Sequence, residues 1–210
     1  YWHDDEILWR HTLNVTKRNY VAHNNLALAF AEQGRSEEAV VEFRAATALH
    51  KYAPDQVLTL AVYELRVGHP QQAIEECDTI LRSYTDPRLL AAAWSERGQG
   101  LLELRRYDQA AEDFQNALRL SPENGMALAG SGILSLRQGQ YDAAVTQFVH
   151  ALAVNPSDVN FLLLAHALRR AGRVGDADSA AAQAQKISQD LNQAQTAVTQ
   201  FLSLAGVKPL

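Results

Sequence analysis

Cysteine is nearly missing from this chain. Of 210 residues only Cys77 carries a thiol, so no intrachain disulfide can form and the redox compartment stays open. Basic residues are not in excess either: 24 acids stand against 19 lysines and arginines, and neither half of the chain carries a charged tail or lobe. That excludes nucleic acid as the main partner, which would require a basic stripe. No apolar run approaches the ~18 residues of a membrane span, so direct insertion of this segment is excluded, and no signal peptide is visible. Missing too are a Gly-rich phosphate loop, a G-x-S-x-G elbow and a Cys/His pair. The seven histidines show no H-x3-H spacing. His3, Asp4, Asp5 and His11 could be imagined as metal ligands, but a metal site needs convergent ligands and a supporting shell, and a terminal surface reading is preferred. No catalytic, cofactor or metal residue is therefore assigned, and the chain is not expected to be an enzyme.

What is present is a motif that returns at about 34 residues. A small residue is followed by a large apolar one and then another small one: Ala39, Phe43, Ala46; Ala73, Cys77, Ile80; Ala110, Phe114, Ala117; Ala144, Phe148, Ala151; and faintly Ala177, Ala181, Ala184. A glycine precedes the first alanine by five residues at Gly34, Gly68, Gly139 and Gly172. A period of this length implies stacked helix pairs, because one pair cannot bury its own apolar face. Cys77 takes the place of Phe43 and Phe114, which makes it a small buried hydrophobe.

The apolar spacing on both sides of Gly34-Arg35-Ser36 is helical, and Gly34 can close a helix in a left-handed conformation. Ser36, with Glu38 nearby, and later Asp108, Asp142 and Asp176 are expected to cap second helices. Pro70 suits a first helical turn, while Pro54, Pro87, Pro122 and Pro156 mark the junctions between pairs. The paired acids Glu37-Glu38, Glu75-Glu76 and Glu112-Asp113, like Asp4-Asp5-Glu6, are expected to be solvated and to favour helix starts. Ala27, Ala61, Gly98, Gly132 and Ala165 fall where helices should cross closely. Ala73 to Ala110 spans three residues more than the standard repeat, so Ser83 to Arg88 should be a longer loop or an extended helix start.

These residues resemble the tetratricopeptide repeat (TPR) pattern, W-x2-L-G-x2-Y, then A-x3-F, then P. The third unit fits best through Trp94, Gly98, Leu101, Ala110, Phe114, Ala117 and Pro122, whereas the first has Lys51 where the proline belongs. The resemblance implies an all-α, right-handed superhelix of about five helix pairs, with a leading half-repeat and a C-terminal capping helix. Expected boundaries are 1–19 for the half-repeat, then repeats at 20–53, 54–90, 91–124, 125–157 and 158–189, and 190–210 for the cap and tail. In the last segment Leu191, Ala194, Val198, Phe201 and Leu202 share one face, which suits shielding the end of an array; docking to a partner is the other reading.

The N-terminal phrase Tyr1-Trp2-x-Asp4, Leu8-Trp9-Arg10-x-Thr12-Leu13 and Ala22-His23-Asn24-Asn25-Leu26 is similar to the join in multi-pass glycosyltransferase-like membrane proteins of the TMTC type and their bacterial relatives. That resemblance implies a piece of a longer protein, lying at the extracytoplasmic face of a membrane, with the catalytic part elsewhere. Asn14-Val15-Thr16 would be a glycosylation sequon only in a eukaryotic secretory route.

Function is expected on the wall of first helices. Carried over from TPR arrays, its groove positions are Asn24, Asn25, Leu28 and Glu32; Leu58, Val62 and Arg66; Ser95, Gln99 and Glu103; Ala129, Ile133 and Arg137; and Leu162, His166 and Arg169. The basic end suits an extended peptide or loop with a negatively charged portion. The lysine/arginine-and-asparagine set that clamps a C-terminal carboxylate is not present. A protein- or peptide-binding module is the leading reading. A substrate-selecting region of a membrane glycosyltransferase, or a self-assembly scaffold joined through Trp2 and Trp9, stands beside it, as does a wall that only solubilises the inner face.

Overall fold

The computed structural model describes residues 5–50 and 53–207. Tyr1, Trp2, His3, Asp4 and Lys51, named above, lie outside the described residues. The described residues form twelve helices and no strand. Helix α1 (Asp5–Val15) precedes the pairs α2 (Tyr20–Glu32) and α3 (Ser36–Leu49), and α4 (Pro54–Arg66) and α5 (Pro70–Ser83). Next come α6 (Pro87–Glu103) and α7 (Tyr107–Leu120), α8 (Gly125–Arg137) and α9 (Tyr141–Val154), then α10 (Asp158–Arg170) and α11 (Val174–Ile187). Helix α12 (Leu191–Leu204) stands alone at the end. The chain divides into two compact units, Tyr1–Glu96 and Arg97–Leu210, with the boundary inside α6.

Unit 1 is held by two apolar clusters. Leu26, Ala27 and Phe30 of α2 pack with Ala39, Val40 and Phe43 of α3 and with Leu60 of α4. Trp9 and Leu13 of α1 pack against that cluster and are half-buried, while Ile7, Leu8 and Val15 remain exposed. The second cluster joins Val57, Ala61, Ala73, Cys77, Ile80 and Ala93, and Cys77 is fully buried as its place in the motif implies. In unit 2 the small residues act as clearance. A Cβ on Gly98 would lie 2.7 Å from the Phe114 ring, and one on Gly132 would lie 2.7 Å from the Phe148 ring. Phe114 also fills the space under α8, where a Cβ on Gly130 would come within 2.3 Å of it. Such approaches require an absent side chain, because the facing atom is a ring packed in the core.

The turns follow one backbone rule with one exception. Gly34, Gly68, Gly139 and Gly172 adopt φ between 74° and 79°, closing the first helices in the left-handed conformation that glycine tolerates. In the third repeat the same place is filled by Arg105, at φ 59°. The expected caps differ. Helices α3, α7, α9 and α11 begin after Arg35, Arg106, Gln140 and Arg173, none of which caps through its side chain. Asp108, Asp142 and Asp176 lie inside the first turns, where a carboxylate favours the dipole but cannot take the cap position. Side-chain caps belong instead to first helices: Asn19 for α2, Asn124 for α8, Ser157 for α10 and Asp190 for α12. The three additional residues of the third repeat are taken up by α6, which runs to 17 residues against 13 for α4 and α8.

Among the paired acids Asp113 departs from the solvated expectation, and Glu64, outside those pairs, is buried as well. Asp113 is 2% exposed and receives Nε and Nη2 of Arg97 at 2.7 and 2.8 Å. Glu64, 1% exposed, receives Nε and Nη2 of Arg44 at 2.6 and 2.9 Å and is bonded to Nδ1 of His69 at 2.9 Å. Paired forks of this kind are what allow a charge to stay inside a core. Burial also pushes the Glu76 carboxyl above its usual range, aided by Glu64 and Glu75.

Candidate binding face of the first helices

The repeat places one residue of every first helix at an equivalent position: Leu28, Val62, Gln99, Ile133 and His166. Their environments differ. Leu28 is 41% exposed, Val62 and Gln99 are half-buried, and Ile133 and His166 fall to 3% and 7%. In unit 1, Asn24, Asn25 and Leu58 are half-buried, while Glu32 and Arg66 are exposed. The Arg66 guanidinium lies over the Tyr63 ring, 4.8 Å from its centroid. Ser95, expected on the wall, is buried and donates to the Ala92 carbonyl at 2.9 Å. These unit 1 side chains therefore offer an apolar centre with amides and both signs of charge around it.

In unit 2 several of the expected wall residues are already engaged. Gln99 Nε2 donates to Glu103 Oε1 at 3.1 Å, and burial raises the Glu103 carboxyl while that bond lowers it. Ala129 and Leu162 are half-buried. Ile133 is core, not an exposed groove residue. Arg137 is exposed but bound: its Nη1 donates to the Ala205 carbonyl at 3.2 Å and its guanidinium stacks 3.8 Å from the Tyr107 ring centroid. The Tyr107 hydroxyl donates to the Leu204 carbonyl at 2.8 Å. The last turn of a helix leaves carbonyls without intrahelical partners, and its dipole end attracts cations. Tyr107 and Arg137 supply both needs for α12.

Helix α12 thus packs on α10, a first helix, and its end reaches side chains of α7 and α8. Ala194, Val198 and Leu202 face inward, followed by the buried Ala205 and Val207. Gly206, at φ 68°, stands 34 residues after Gly172, so α12 keeps the register of a first helix. Between α10 and α12 lies an open cleft of about 800 Å³, floored by Leu162, Ala165, Val198 and Leu202 and bordered by His166 and Arg169. Arg105 lines it as well. His166 Nε2 is buried without a hydrogen-bond partner. Burial first, then Arg170 and Arg169, hold the His166 imidazole down to a pKa of about 4. Arg169 Nη2 donates to Asp178 at 3.0 Å on the exposed side.

Arg105, Tyr107 and the α12 residues lie outside the groove that the repeat pattern predicts. Their signals in the sequence were the arginine that replaces a recurrent glycine and the glycine at 206 in register with the others. Among the described residues, no group of three or more His, Cys, Asp or Glu side chains is placed to hold a metal ion, and no helix is long and apolar enough to cross a membrane.

A family model described as tetratricopeptide repeat matches residues 12–54, 58–124 and 95–160, which together span most of the chain. A TPR repeat-containing protein of Methanocaldococcus jannaschii is 24% identical over 152 residues, covering 68% of this chain and 26% of the relative. Superkiller protein 3 of Schizosaccharomyces pombe is 36% identical over 67 residues, 31% of this chain and 5% of that protein. The chain therefore spans roughly a quarter or less of these two relatives. Among solved structures, a thermophilic TPR protein of Thermus thermophilus superposes with a TM-score of 0.72 at 20% identity, over 88% of this chain and all of that one. YrrB, described as a TPR protein with an unusual peptide-binding site, superposes with a TM-score of 0.53 at 18% identity, over 91% of this chain and 97% of its own.

Proposed function

Because this chain belongs to the tetratricopeptide repeat family, we propose that it is a non-catalytic interaction module that binds a peptide or protein segment along its first helices. One observation carries the reading furthest. Leu28 stays 41% exposed at the centre of the α2 face, with the half-buried amides of Asn24 and Asn25 on its own helix. A large apolar side chain held open beside amides suits an extended peptide, whose backbone needs hydrogen bonds and whose side chains need pockets. Glu32 and Arg66 are exposed on α2 and α4, and add charge of both signs that can select sequence. YrrB, with its peptide-binding site, offers a precedent on a similar fold.

The test is selection of binders from a random peptide display library, followed by affinity measurement on the triple variant Asn24→Ala, Asn25→Ala, Arg66→Glu. Affinity should drop at least tenfold while the circular dichroism spectrum is unchanged. Undiminished affinity in a folded variant would remove the α2/α4 face as the binding site.

The N-terminal phrase favours a second, compatible reading: the module is the arm of a larger membrane protein and selects substrates for a catalytic part outside this chain. The residues upstream of Tyr1 in the parent gene decide it. Repeated apolar spans there support the arm, and further repeats of the same period support a free scaffold. Self-assembly through residues 1–16 predicts dimers that vanish when those residues are removed, read by sedimentation.

A further inference from the structure

The geometry points to the cleft between α10 and α12 as a binding site for an acidic side chain of a partner peptide, with aliphatic residues on either side of the acid. The inference rests on the peptide-binding reading above and gives that reading a site and a chemistry in unit 2. The cleft is built from both polarities. Leu162, Ala165, Val198 and Leu202 provide an apolar floor, and among the described residues its charged linings are Arg105 and Arg169. Among the described residues no carboxylate side chain lines it, although the chain as a whole carries a net charge of −5. Helix α12 contributes Gln195, Thr199 and Ser203, which are neutral donors and acceptors. An acid between aliphatic neighbours meets both needs of such a cleft: guanidinium forks for the carboxylate and burial for the flanks.

Two further observations converge on the same place. His166 borders the cleft, is 7% exposed, and has a ring Nε2 with no hydrogen-bond partner. A buried polar atom left without a partner is rare in a native core and calls for a reason. An entering carboxylate would provide one, accepting from the imidazole once it carries a proton. Arg105 is the second. In four repeats the turn position is a glycine at positive φ, and only in the third does a side-chain-bearing residue adopt that conformation. The residue that does so is an arginine that lines this cleft. Strained backbone retained at one repeat out of five is the kind of outlier that clusters at binding sites.

Among the charges on the elements around His166, Asp178 holds Arg169 Nη2 at 3.0 Å, so an entering acid shares that guanidinium with it. The helix of His166 carries Asp158, Arg169 and Arg170; α8 carries Arg137, α9 carries Asp142 and His150, and α11 carries Asp176, Asp178 and Lys186. Helix α12 has no ionisable side chain. Of all these, only Arg170 and Arg169 act on the imidazole, and both oppose its protonation. An acid bound in the cleft would reverse that balance, so binding should draw a proton onto His166.

The experiment uses the capped peptide acetyl-Ser-Leu-Glu-Leu-Ser-amide beside its glutamine counterpart, each titrated into the isotopically labelled full chain and followed by NMR. The glutamate peptide should shift resonances of α10 and α12, bind at least tenfold more tightly than the glutamine peptide, and raise the His166 titration midpoint by a unit or more. Arg105→Gln and Arg169→Gln should each weaken it at least threefold, and His166→Gln should abolish the linked proton uptake. Equal binding of the two peptides, or an unmoved His166 midpoint, overturns the proposal without any variant having to fold. Shifts confined to α2 and α4 overturn this site while leaving the general peptide-binding reading standing. Weakening of the glutamate peptide when its free C-terminal acid replaces the amide supports an internal acid; tighter binding of a peptide with only a terminal acid overturns it.

Discussion

The same register position behaves in opposite ways in the two units. Leu28 on α2 is open to solvent, whereas His166 on α10 is enclosed in unit 2, where α12 lies on its helix. Both are first helices of their repeats and both close on a glycine with positive φ, so local geometry cannot explain the contrast. In unit 2 helix α12 lies against α10, and His166 lines the cleft between them. Helix α12 is in register with the first helices, yet its contacts run to α10 and to the ends of α7 and α8. The lesson is that equal repeats give equal helices but not equal surfaces. A single terminal helix can turn a solvated wall into a walled cleft.

Overpacking is the hardest way to break that comparison. Gly130→Leu drives a side chain into the Phe114 ring and should destabilise unit 2 by about 3 kcal/mol or more. Urea unfolding should show an early transition in the Arg97–Leu210 unit, while the control Gly175→Ala, whose added Cβ meets nothing within 4 Å, should be neutral or stabilising. Comparable in size, removing residues 191–210 takes away the burial supplied by Val198 and Leu202. It should cost about 3–6 kcal/mol, at roughly 1.5–3 kcal/mol for each buried aliphatic side chain before relaxation. Hydrogen exchange should then rise in α10 and stay unchanged in α2. Equal protection of α10 in the truncated chain would mean that α12 does not cover it.

The units also carry ionisable groups with opposite pH signatures. The Glu96 carboxyl, in unit 1, is pushed up to about 7 by burial, from 4.5. Its folded form holds a proton that the unfolded chain has lost, so stability falls as pH rises from 4.5 through 7. The His166 imidazole is held at about 4, from 6.5. There the unfolded chain takes up the proton first, so stability falls as pH drops from 6.5 through 4. Each effect is on the order of 3 kcal/mol. Glu96→Gln should therefore stabilise the protein at pH 8, and His166→Gln should flatten the acid limb; denaturant midpoints across about pH 4–8 read both. The smallest effect is at Arg105. Arg105→Gly relieves a left-handed residue and should stabilise unit 2 by up to about 1 kcal/mol, while weakening any acidic ligand of the cleft. A loss of stability would show that the guanidinium holds the turn.

Much of the fold was legible in the sequence because the repeat prints the same physical need many times. Small residues at Gly98 and Gly132 mark the clearance for Phe114 and Phe148, and Cys77 sits where Phe43 does because its site is interior. The pairing of Asp113 with Arg97 was not legible. Nothing in the dipeptide Glu112-Asp113 distinguishes the solvated acid from the buried one until the helices are packed. The caps differ from the sequence expectation for a similar reason: an aspartate in a first turn and one at the cap position differ by a few dihedral angles, which spacing does not reveal. At the expected wall, Asn24, Leu28 and Arg66 keep enough exposure to meet a ligand, whereas Ile133 is core and Arg137 is committed to α12.

By itself the sequence determined the helices, their turns and their stacking, because period, clearance and left-handed glycines are local requirements that recur. Only the tertiary structure decided which first helices remain open. The course of α12 depends on the Tyr107 hydroxyl and the Arg137 guanidinium meeting two carbonyls at its end, nearly a hundred residues along the chain from Tyr107. Contacts between such distant segments leave no period to read, since they are set by where the packed array brings its surfaces together.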